Sequence, residues 1–231
     1  MTEEFHIYTL PNGIRCIHRQ VRSSVARCAV MINAGSRDEL SGEHGLAHFT
    51  EHGFFKGTEH RKAYQVNCRL ENLGGELNAY TTKEDTTIHA TVLRSDFNKA
   101  AELLSDVVFH STFPDKELNK EREVIIDEIN TYKDSPMDML FDTFEDMLFE
   151  GSELGHNILG GKRDVERHDS AAIHRFTGRT HTTDQMVFAS IGNISPKRIE
   201  EIATRYFAPQ RATVRGYDRV APAPENSSRL M

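Results

Sequence analysis

Apolar and polar residues alternate along residues 5–34, which is the pattern of half-buried β-strands. The runs FHIYTL and IRCIHRQ stand on either side of Pro11-Asn12-Gly13, and Asn-Gly is a strong signal for a hairpin turn. The run ARCAVMINA, residues 26–34, is more apolar and predicts a more buried strand that ends at Gly35-Ser36. This segment is therefore predicted to form a hairpin and a third strand.

After Gly35 the pattern changes to the roughly 3.6-residue period of helices, interrupted by strand-forming sequence rich in Thr, Ile and Val. Capping Ser or Asp residues, Pro in a first helical turn and closing Gly residues mark most of the helix ends. Helices are predicted over about residues 43–57, 61–73, 96–110, 114–132, 136–150, 169–180 and 196–207. Strands are predicted over residues 77–82, 86–93 and 185–192. These elements predict an α+β fold, in which an antiparallel-rich sheet has helices covering one face.

A change in composition separates residues 1–210 from residues 211–231. The first part carries the periodic pattern and is predicted to form one domain, since a chain of 231 residues can bury a core without disulfide bonds. The second part contains Pro222, Pro224 and Ser227-Ser228 but no apolar pattern, which is typical of a linker or tail.

The composition argues against several classes of protein. With 28 basic and 35 acidic residues the net charge is −7, and there is no basic stripe, so nucleic-acid binding is not expected. No apolar run approaches the roughly 18 residues of a membrane helix, so no membrane partner is expected. The first ten residues carry two Glu and no basic region of the kind found in secretory signals. Three widely spaced cysteines predict free thiols and a cytoplasmic location.

Candidate chemistry begins at His48, where the sequence HFTEH has the pattern HxxEH. On a helix that turns about 100° per residue, His48, Glu51 and His52 project from one face. Two imidazoles at positions i and i+4 can bind one Zn²⁺, and the Glu between them can act as a general base on water. A catalytic zinc also needs a third protein ligand, so the motif alone leaves open a helix face that binds nothing.

Glu121 and Glu128 are seven residues apart on the predicted helix of residues 114–132, so they lie on one face of it. The apolar residues 124–126 between them favour a buried helix, on which a carboxylate is costly unless it is paired or bound to a metal. An exposed acidic stripe has the same spacing. The spacing alone therefore does not distinguish a buried pair of carboxylates from an exposed acidic stripe.

Several segments resemble, in order, those of the family that contains pitrilysin, insulin-degrading enzyme and the mitochondrial processing peptidases. HGLAHFTEHGFFKGT resembles the zinc-site helix of that family, which reads close to GLAHFLEHMxFKGT. EREVIIDEI is similar to the family's ERxVIxxEI, LGGELNAYT to LGGxxNAxT, and LGHNILG to the end of PLGxxILG. The resemblance covers about residues 5–210 and identifies the chain as the N-terminal, catalytic half of such a peptidase.

The resemblance implies a zinc endopeptidase that acts on extended peptides or unfolded proteins. It implies that His48, His52 and Glu128 bind one Zn²⁺ per chain, because the family's third ligand is a Glu about 76 residues after the second His. It also implies that Glu51 is the general base and that Glu121 orients a ligand His.

The resemblance further implies that a peptide substrate binds along one strand at the edge of the sheet, by backbone hydrogen bonds. The residues of that strand are Asn78, Ala79, Tyr80 and Thr81. From the residues alone, this segment also reads as a plain hairpin strand. Family members usually have two similar halves around a chamber, so a second half is expected in cis or in trans, and self-association as a homodimer is a further expectation.

Two other functions compete with the catalytic one. A non-catalytic partner subunit of a split peptidase is expected to lack part of the set His48, Glu51, His52 and Glu128, which is complete here. A structural zinc protein favours a closed site of four ligands that include Cys, and no Cys lies near either motif.

Overall fold

The computed structural model describes residues 5–222 of the chain. Its strands are β1 (His6–Thr9), β2 (Arg15–Gln20), β3 (Val25–Ile32), β4 (Glu76–Thr81), β5 (Thr86–Leu93) and β6 (Met186–Gly192). Its helices are α1 (Leu46–Gly53), α2 (Ala63–Glu71), α3 (Phe97–His110), α4 (Asp115–Lys133), α5 (Pro136–Leu148), α6 (Lys162–Val165), α7 (Ser170–Thr180) and α8 (Pro196–Tyr206). None of the helices in residues 5–222 combines the length and the apolar character needed to cross a bilayer.

All six strands form one sheet in the order β1-β2-β6-β3-β5-β4. Only β2 and β6 pair in parallel, whereas the other four pairs are antiparallel. The predicted antiparallel-rich sheet is confirmed, and β4 lies at its edge. The sheet order also has a feature that local sequence patterns do not reveal, namely that β6 inserts between β2 and β3.

Helices cover one face of this sheet. Along β3 the residues Ala26, Cys28, Val30 and Ile32 are buried, and α3 packs against β3 and β5 on this side. The residues that alternate with them include the exposed Met31. The α+β class with one covered face is therefore confirmed, and it follows from the period of two along the central strands.

The first helix occupies the position that matters for chemistry. α1 contacts β4, α4 and α7. Its residues Leu46, Ala47 and Phe49 are fully buried against these neighbours. Because α1 is held between the edge strand and α4, the HxxEH motif, the two Glu of α4 and the strand β4 share one side of the domain.

Residues 211–222 contain no helix or strand, in keeping with their composition. They nevertheless attach to the domain, since Thr213 N–H donates to Thr183 Oγ1 at 2.9 Å. Tyr217 and Arg219 both donate to the buried carboxylate of Asp38, at 2.9 and 2.6 Å. The division of the chain at residue 210 stays a prediction, and its tail beyond residue 222 lies outside the described residues.

Candidate metal centre

A buried carboxylate fixes the start of α1. Gly45 precedes the helix with a left-handed backbone (φ 84°), and a Cβ there would stand 2.5 Å from the carbonyl oxygen of Leu159. Glu39 Oε2 and Oε1 accept hydrogen bonds from the N–H groups of Gly45 and Ala47, at 3.0 and 2.8 Å. Burial raises the pKa of Glu39 well above its usual range, and these two N–H groups oppose the rise. Glu39 thus holds the first turn of α1, the helix that carries the motif.

One turn further, the two motif histidines face a carboxylate of α4. Glu128 Oε2 lies 3.7 Å from His48 Nε2 and 3.6 Å from His52 Nε2. The two imidazole rings have centroids 4.6 Å apart. Ligands of a tetrahedral ion with bonds of about 2.0–2.2 Å stand about 3.3–3.6 Å apart, so these donors surround a point that a Zn²⁺ ion fits.

The protonation of His48 and the exposure of the group also suit a metal. Burial, followed by the charge of His52, lowers the pKa of His48 to about 3, so its imidazole is neutral at physiological pH. Neutral imidazole and ionised carboxylate are the forms that bind metal ions. His48 is 7% exposed, whereas the side chain of Glu128 is 45% exposed. The group is therefore closed on the side of α1 and open on the side of Glu128.

Glu121 joins the group through His52. Its Oε1 lies 2.8 Å from His52 Nδ1, and its Oε2 contacts Lys56 Nζ. Burial acts to raise the pKa of Glu121, but the hydrogen bonds from His52 and Lys56 outweigh it and hold the pKa below its usual value. The carboxylate therefore accepts the Nδ1 proton of His52 and leaves Nε2 free to face Glu128.

This contact predicts that Glu121→Ala lowers the affinity of the chain for Zn²⁺ by about 10–100-fold, because the His52 ring loses the partner that orients it. A competition titration against a zinc-sensitive dye measures the change. Glu123→Ala is the matched control, since Glu123 lies exposed on the same helix. Equal affinities in the two variants would contradict the role given to Glu121.

Glu51 lies on α1 beside the same group, on the side of β4. Burial raises its pKa above the usual value of a carboxyl, and Thr81 and the charge of His52 oppose this rise. The charge of Glu128 raises it further. Glu51 is thus close to two of the metal-binding candidates and to the last residue of the edge strand.

The predicted substrate strand is the edge strand that the sheet order requires. Along β4, Asn78 and Tyr80 are exposed, and Ala79 and Thr81 are half-buried. β4 pairs with β5 on one side, and no other strand of residues 5–222 pairs with it. Asn78 Oδ1 accepts the N–H of Ala79 at 2.8 Å, so one backbone donor of β4 is held by its neighbouring side chain.

Comparison with known proteins shows the family of the chain. The sequence model of the insulinase family, peptidase family M16, matches residues 16–162. The chain belongs to the insulinase family. The matched segment contains the HxxEH motif, the edge strand and both Glu of α4, and the resemblance seen in the sequence is thereby confirmed.

Two relatives show how far the likeness extends. An uncharacterized zinc protease of Bacillus subtilis, YmxG, is 36% identical over 197 residues, covering 84% of this chain and 48% of the relative. A probable mitochondrial-processing peptidase subunit beta of Arabidopsis thaliana is 33% identical over 205 residues, covering 88% of this chain and 39% of the relative. This insulinase-family chain therefore spans half or less of the length of these relatives.

The same fold occurs within a solved structure. The first half of the periplasmic protease PqqL from Escherichia coli superimposes with a TM-score of 0.88 at 21% identity, covering 97% of this chain and 50% of that one. At this identity the likeness establishes the fold alone. The domain thus has the fold of about half of that solved chain.

Sequence reasoning located His48, His52, Glu128 and Glu121, and the structure brings these four together. It missed Glu39 and Lys56, whose contacts with the start of α1 and with Glu121 form only in the folded chain. Lys56 stands in the run FFKGT that matches the family pattern, which is a signal of importance but not of its partner. Glu39 lies outside every motif, and only the folded structure shows that it accepts hydrogen bonds from the start of α1.

Proposed function

We propose that this chain is the catalytic half of a zinc endopeptidase that hydrolyses extended peptides by the attack of water. The observation that carries the proposal is the convergence of His48 Nε2, His52 Nε2 and Glu128 Oε2 beside Glu51. When bound, Zn²⁺ would polarise the peptide carbonyl and lower the pKa of a water molecule to about 7. One such ion per chain is proposed at these three ligands.

Glu51 would accept the proton of the attacking water and deliver it to the leaving amine. Its buried position raises its pKa toward neutrality, which is the direction that helps a carboxylate serve first as base and then as acid. Glu121 would position His52 without touching the substrate. The chain thus offers a separate group for each task of binding, orientation and proton transfer.

The substrate would add to β4 as an additional strand. An extended peptide paired with this edge would pass beside Glu51, because Thr81, at the end of β4, lies near enough to Glu51 to influence its pKa. Pairing through backbone groups depends little on sequence, so unfolded proteins and peptides are the proposed substrates. Substrate binding would also require Ala79 N–H to exchange its bond to Asn78 Oδ1 for one to the peptide.

A second, homologous half is proposed as the partner, in cis or in trans. Two apolar surfaces support it: the uncovered face of the sheet, and α5, none of whose residues is buried. On α5, Met137, Leu140 and Phe141 are all more than half exposed. Apolar patches of this kind are the ones that protein interfaces cover, and without the second half they would favour a homodimer.

The non-catalytic alternative is not favoured, because the complete set of ligands and base is present and converges. A cytoplasmic location is also proposed, on the ground that Cys16, Cys28 and Cys68 are all free thiols.

The metal assignment is tested by the zinc content of Glu128→Gln. The variant is expected to lose the zinc bound at His48 and His52, because an amide is a weaker ligand than a carboxylate and carries no charge. Elemental analysis after dialysis against a weak chelator measures it, with Glu123→Gln on the same helix as the control. Undiminished zinc in Glu128→Gln would refute Glu128 as a ligand.

A further inference from the structure

A second group of potential metal ligands precedes α1. His44, two residues before the helix, faces Glu153 and His156 of the loop formed by residues 149–161. Glu153 Oε2 lies 3.3 Å from His44 Nε2 and 3.5 Å from His156 Nε2. The two imidazole rings stack with their centroids 4.1 Å apart. Two nitrogen donors and one oxygen donor thus converge from two separate segments.

The hydrogen bonding of this group is incomplete. His44 Nε2 and Glu153 Oε2 are buried atoms, and neither has a hydrogen-bond partner within residues 5–222. Buried side-chain polar atoms of native proteins nearly always have one. Both atoms point to the same place, so a single bound cation would satisfy them together.

The spacing of the donors favours a shared ion over mutual hydrogen bonds. Ligands of a tetrahedral ion with bonds of about 2.0–2.2 Å stand about 3.3–3.6 Å apart, whereas hydrogen-bonded N and O atoms lie about 2.7–3.2 Å apart. The observed 3.3 and 3.5 Å match the first arrangement. They are also slightly shorter than the 3.7 and 3.6 Å between the candidate ligands of the HxxEH motif.

The backbone on both sides of the group is fixed. The carbonyl oxygen of His44 accepts a hydrogen bond from His168 Nε2 at 2.9 Å, and the adjacent Gly45 N–H is held by Glu39. In the loop, the carbonyl oxygen of Leu154 accepts from Lys83 Nζ at 2.8 Å. Preorganised ligands of this kind lose little freedom when an ion binds.

The charges nearby are mainly negative. Glu153 and Glu43 both lie near enough to Glu39 for their negative charges to raise its pKa. Arg179 neutralises Glu43 at 2.6 Å, and Lys83 is occupied by Glu145 and the loop carbonyl. Among residues 5–222, Glu153 forms ion pairs only with His44 and His156, so its charge is available to a cation bound by these two residues.

A third His and Asp group in the fold provides a contrast. His60 Nδ1 lies 2.5 Å from Asp106 Oδ1, a hydrogen-bonding distance, beside His110. The other oxygen of Asp106 accepts from Arg61 and from Thr58. The carboxylate of Asp106 is thus fully hydrogen-bonded, and one of its partners is a guanidinium that would repel a cation. We therefore interpret this group as a structural hydrogen-bond network.

We propose that His44, Glu153 and His156 form a second metal site, for a transition-metal ion such as Zn²⁺ that favours imidazole and carboxylate ligands. The ion would join the loop of residues 149–161 to the segment that begins α1. The side chains of Glu153 and His156 are 37% and 42% exposed, so the ion enters from solvent. With the HxxEH site, the chain would bind two equivalents, one more than the sequence predicts.

The test is a titration of the untagged chain with Zn²⁺, and in parallel with Co²⁺, whose absorption reports tetrahedral coordination. Wild-type chain is expected to bind two equivalents. His156→Ala and Glu153→Gln are each expected to bind one, and His60→Ala, the matched control from the third group, two. His48→Ala/His52→Ala is expected to keep the second equivalent, which separates this proposal from the proposed function.

Limited proteolysis gives an independent readout. Zn²⁺ is expected to slow cleavage within residues 149–161 of the wild-type chain but not of His156→Ala, because the ion ties the loop down. Two equivalents in both His156→Ala and Glu153→Gln would overturn the proposal. A wild-type chain whose single equivalent disappears in His48→Ala/His52→Ala would overturn it as well, and so would loss of the second equivalent in His60→Ala alone.

Discussion

Glu51→Gln is expected to abolish peptide hydrolysis while leaving zinc binding intact. Gln has the shape of Glu but cannot accept the proton of the attacking water, and a positioned general base contributes about 10²–10⁴-fold to such reactions. Because Glu51 is not among the three converging donors, its loss removes no metal ligand. The measurements are kcat/KM for a fluorogenic peptide, with the second half supplied, and the zinc content of the same preparation.

Glu59→Gln is the matched control for this variant, since Glu59 is exposed and lies beyond the motif. It is expected to retain both activity and zinc. Two results would contradict the role of Glu51: activity that survives in Glu51→Gln, or zinc that is lost from it. Loss of zinc from Glu51→Gln would mean that Glu51 is a ligand and that Glu128 or another group is the base.

The chain alone is expected to hydrolyse peptides at least about 10³-fold more slowly than the same chain supplied with its second half. Positioning of the substrate and preorganised electrostatics are each worth several kcal/mol of barrier, and both need a closed site. Within residues 5–222, no helix covers the second face of the sheet, and β4 pairs with a strand on one side only. Water therefore has free access to the region where the peptide would bind.

A comparison of three samples measures this effect: the chain alone, the chain with the second half, and Glu51→Gln with the second half. Activity is expected only in the second sample. Inactivity of the third sample would show that the reaction depends on Glu51 of this chain. Inactivity of the first would show that it also depends on the second half. Sedimentation of the first sample is expected to show self-association through the apolar residues of α5 and the sheet. Equal activity of the first two samples would mean that this half holds every group the reaction needs.

Local sequence patterns predicted nearly every element of the fold, for a physical reason. The helix predicted at residues 114–132 is observed at Asp115–Lys133, since Pro114 precedes the first turn and apolar residues recur at helical spacing. The strands predicted at residues 77–82 and 86–93 are likewise present, as β4 and β5. Caps, turns and periodicity are properties of neighbouring residues, so they can be read from the chain.

The arrangement of those elements could not be predicted in the same way. β6 begins at Met186, far along the chain from β2 and β3, yet it pairs with both. Nothing in its sequence identifies those partners, because strand pairing is decided by the packing of the whole sheet. Residues 211–222 illustrate the same limit, since their composition predicts a tail whereas Arg219 binds the buried Asp38.

The residues of the candidate site likewise include some that the sequence predicts and some that it does not. The ligands and the base were predictable from the family pattern. It places His48, Glu51 and His52 in one motif and Glu128 at a fixed distance from it. Glu39 and Lys56 were not, because their contacts with α1 and Glu121 exist only in the folded chain. The group at His44 had no signal either, as His44 is separated from Glu153 and His156 by more than a hundred residues.

The most direct test of the central claim is anomalous diffraction at the zinc absorption edge, from crystals of the chain loaded with Zn²⁺. A peak is predicted within about 2.0–2.2 Å of His48 Nε2, His52 Nε2 and a carboxylate oxygen of Glu128, with Glu51 outside the coordination shell. Zinc absent from this position in the loaded crystal, or coordinated there without Glu128, would contradict the account.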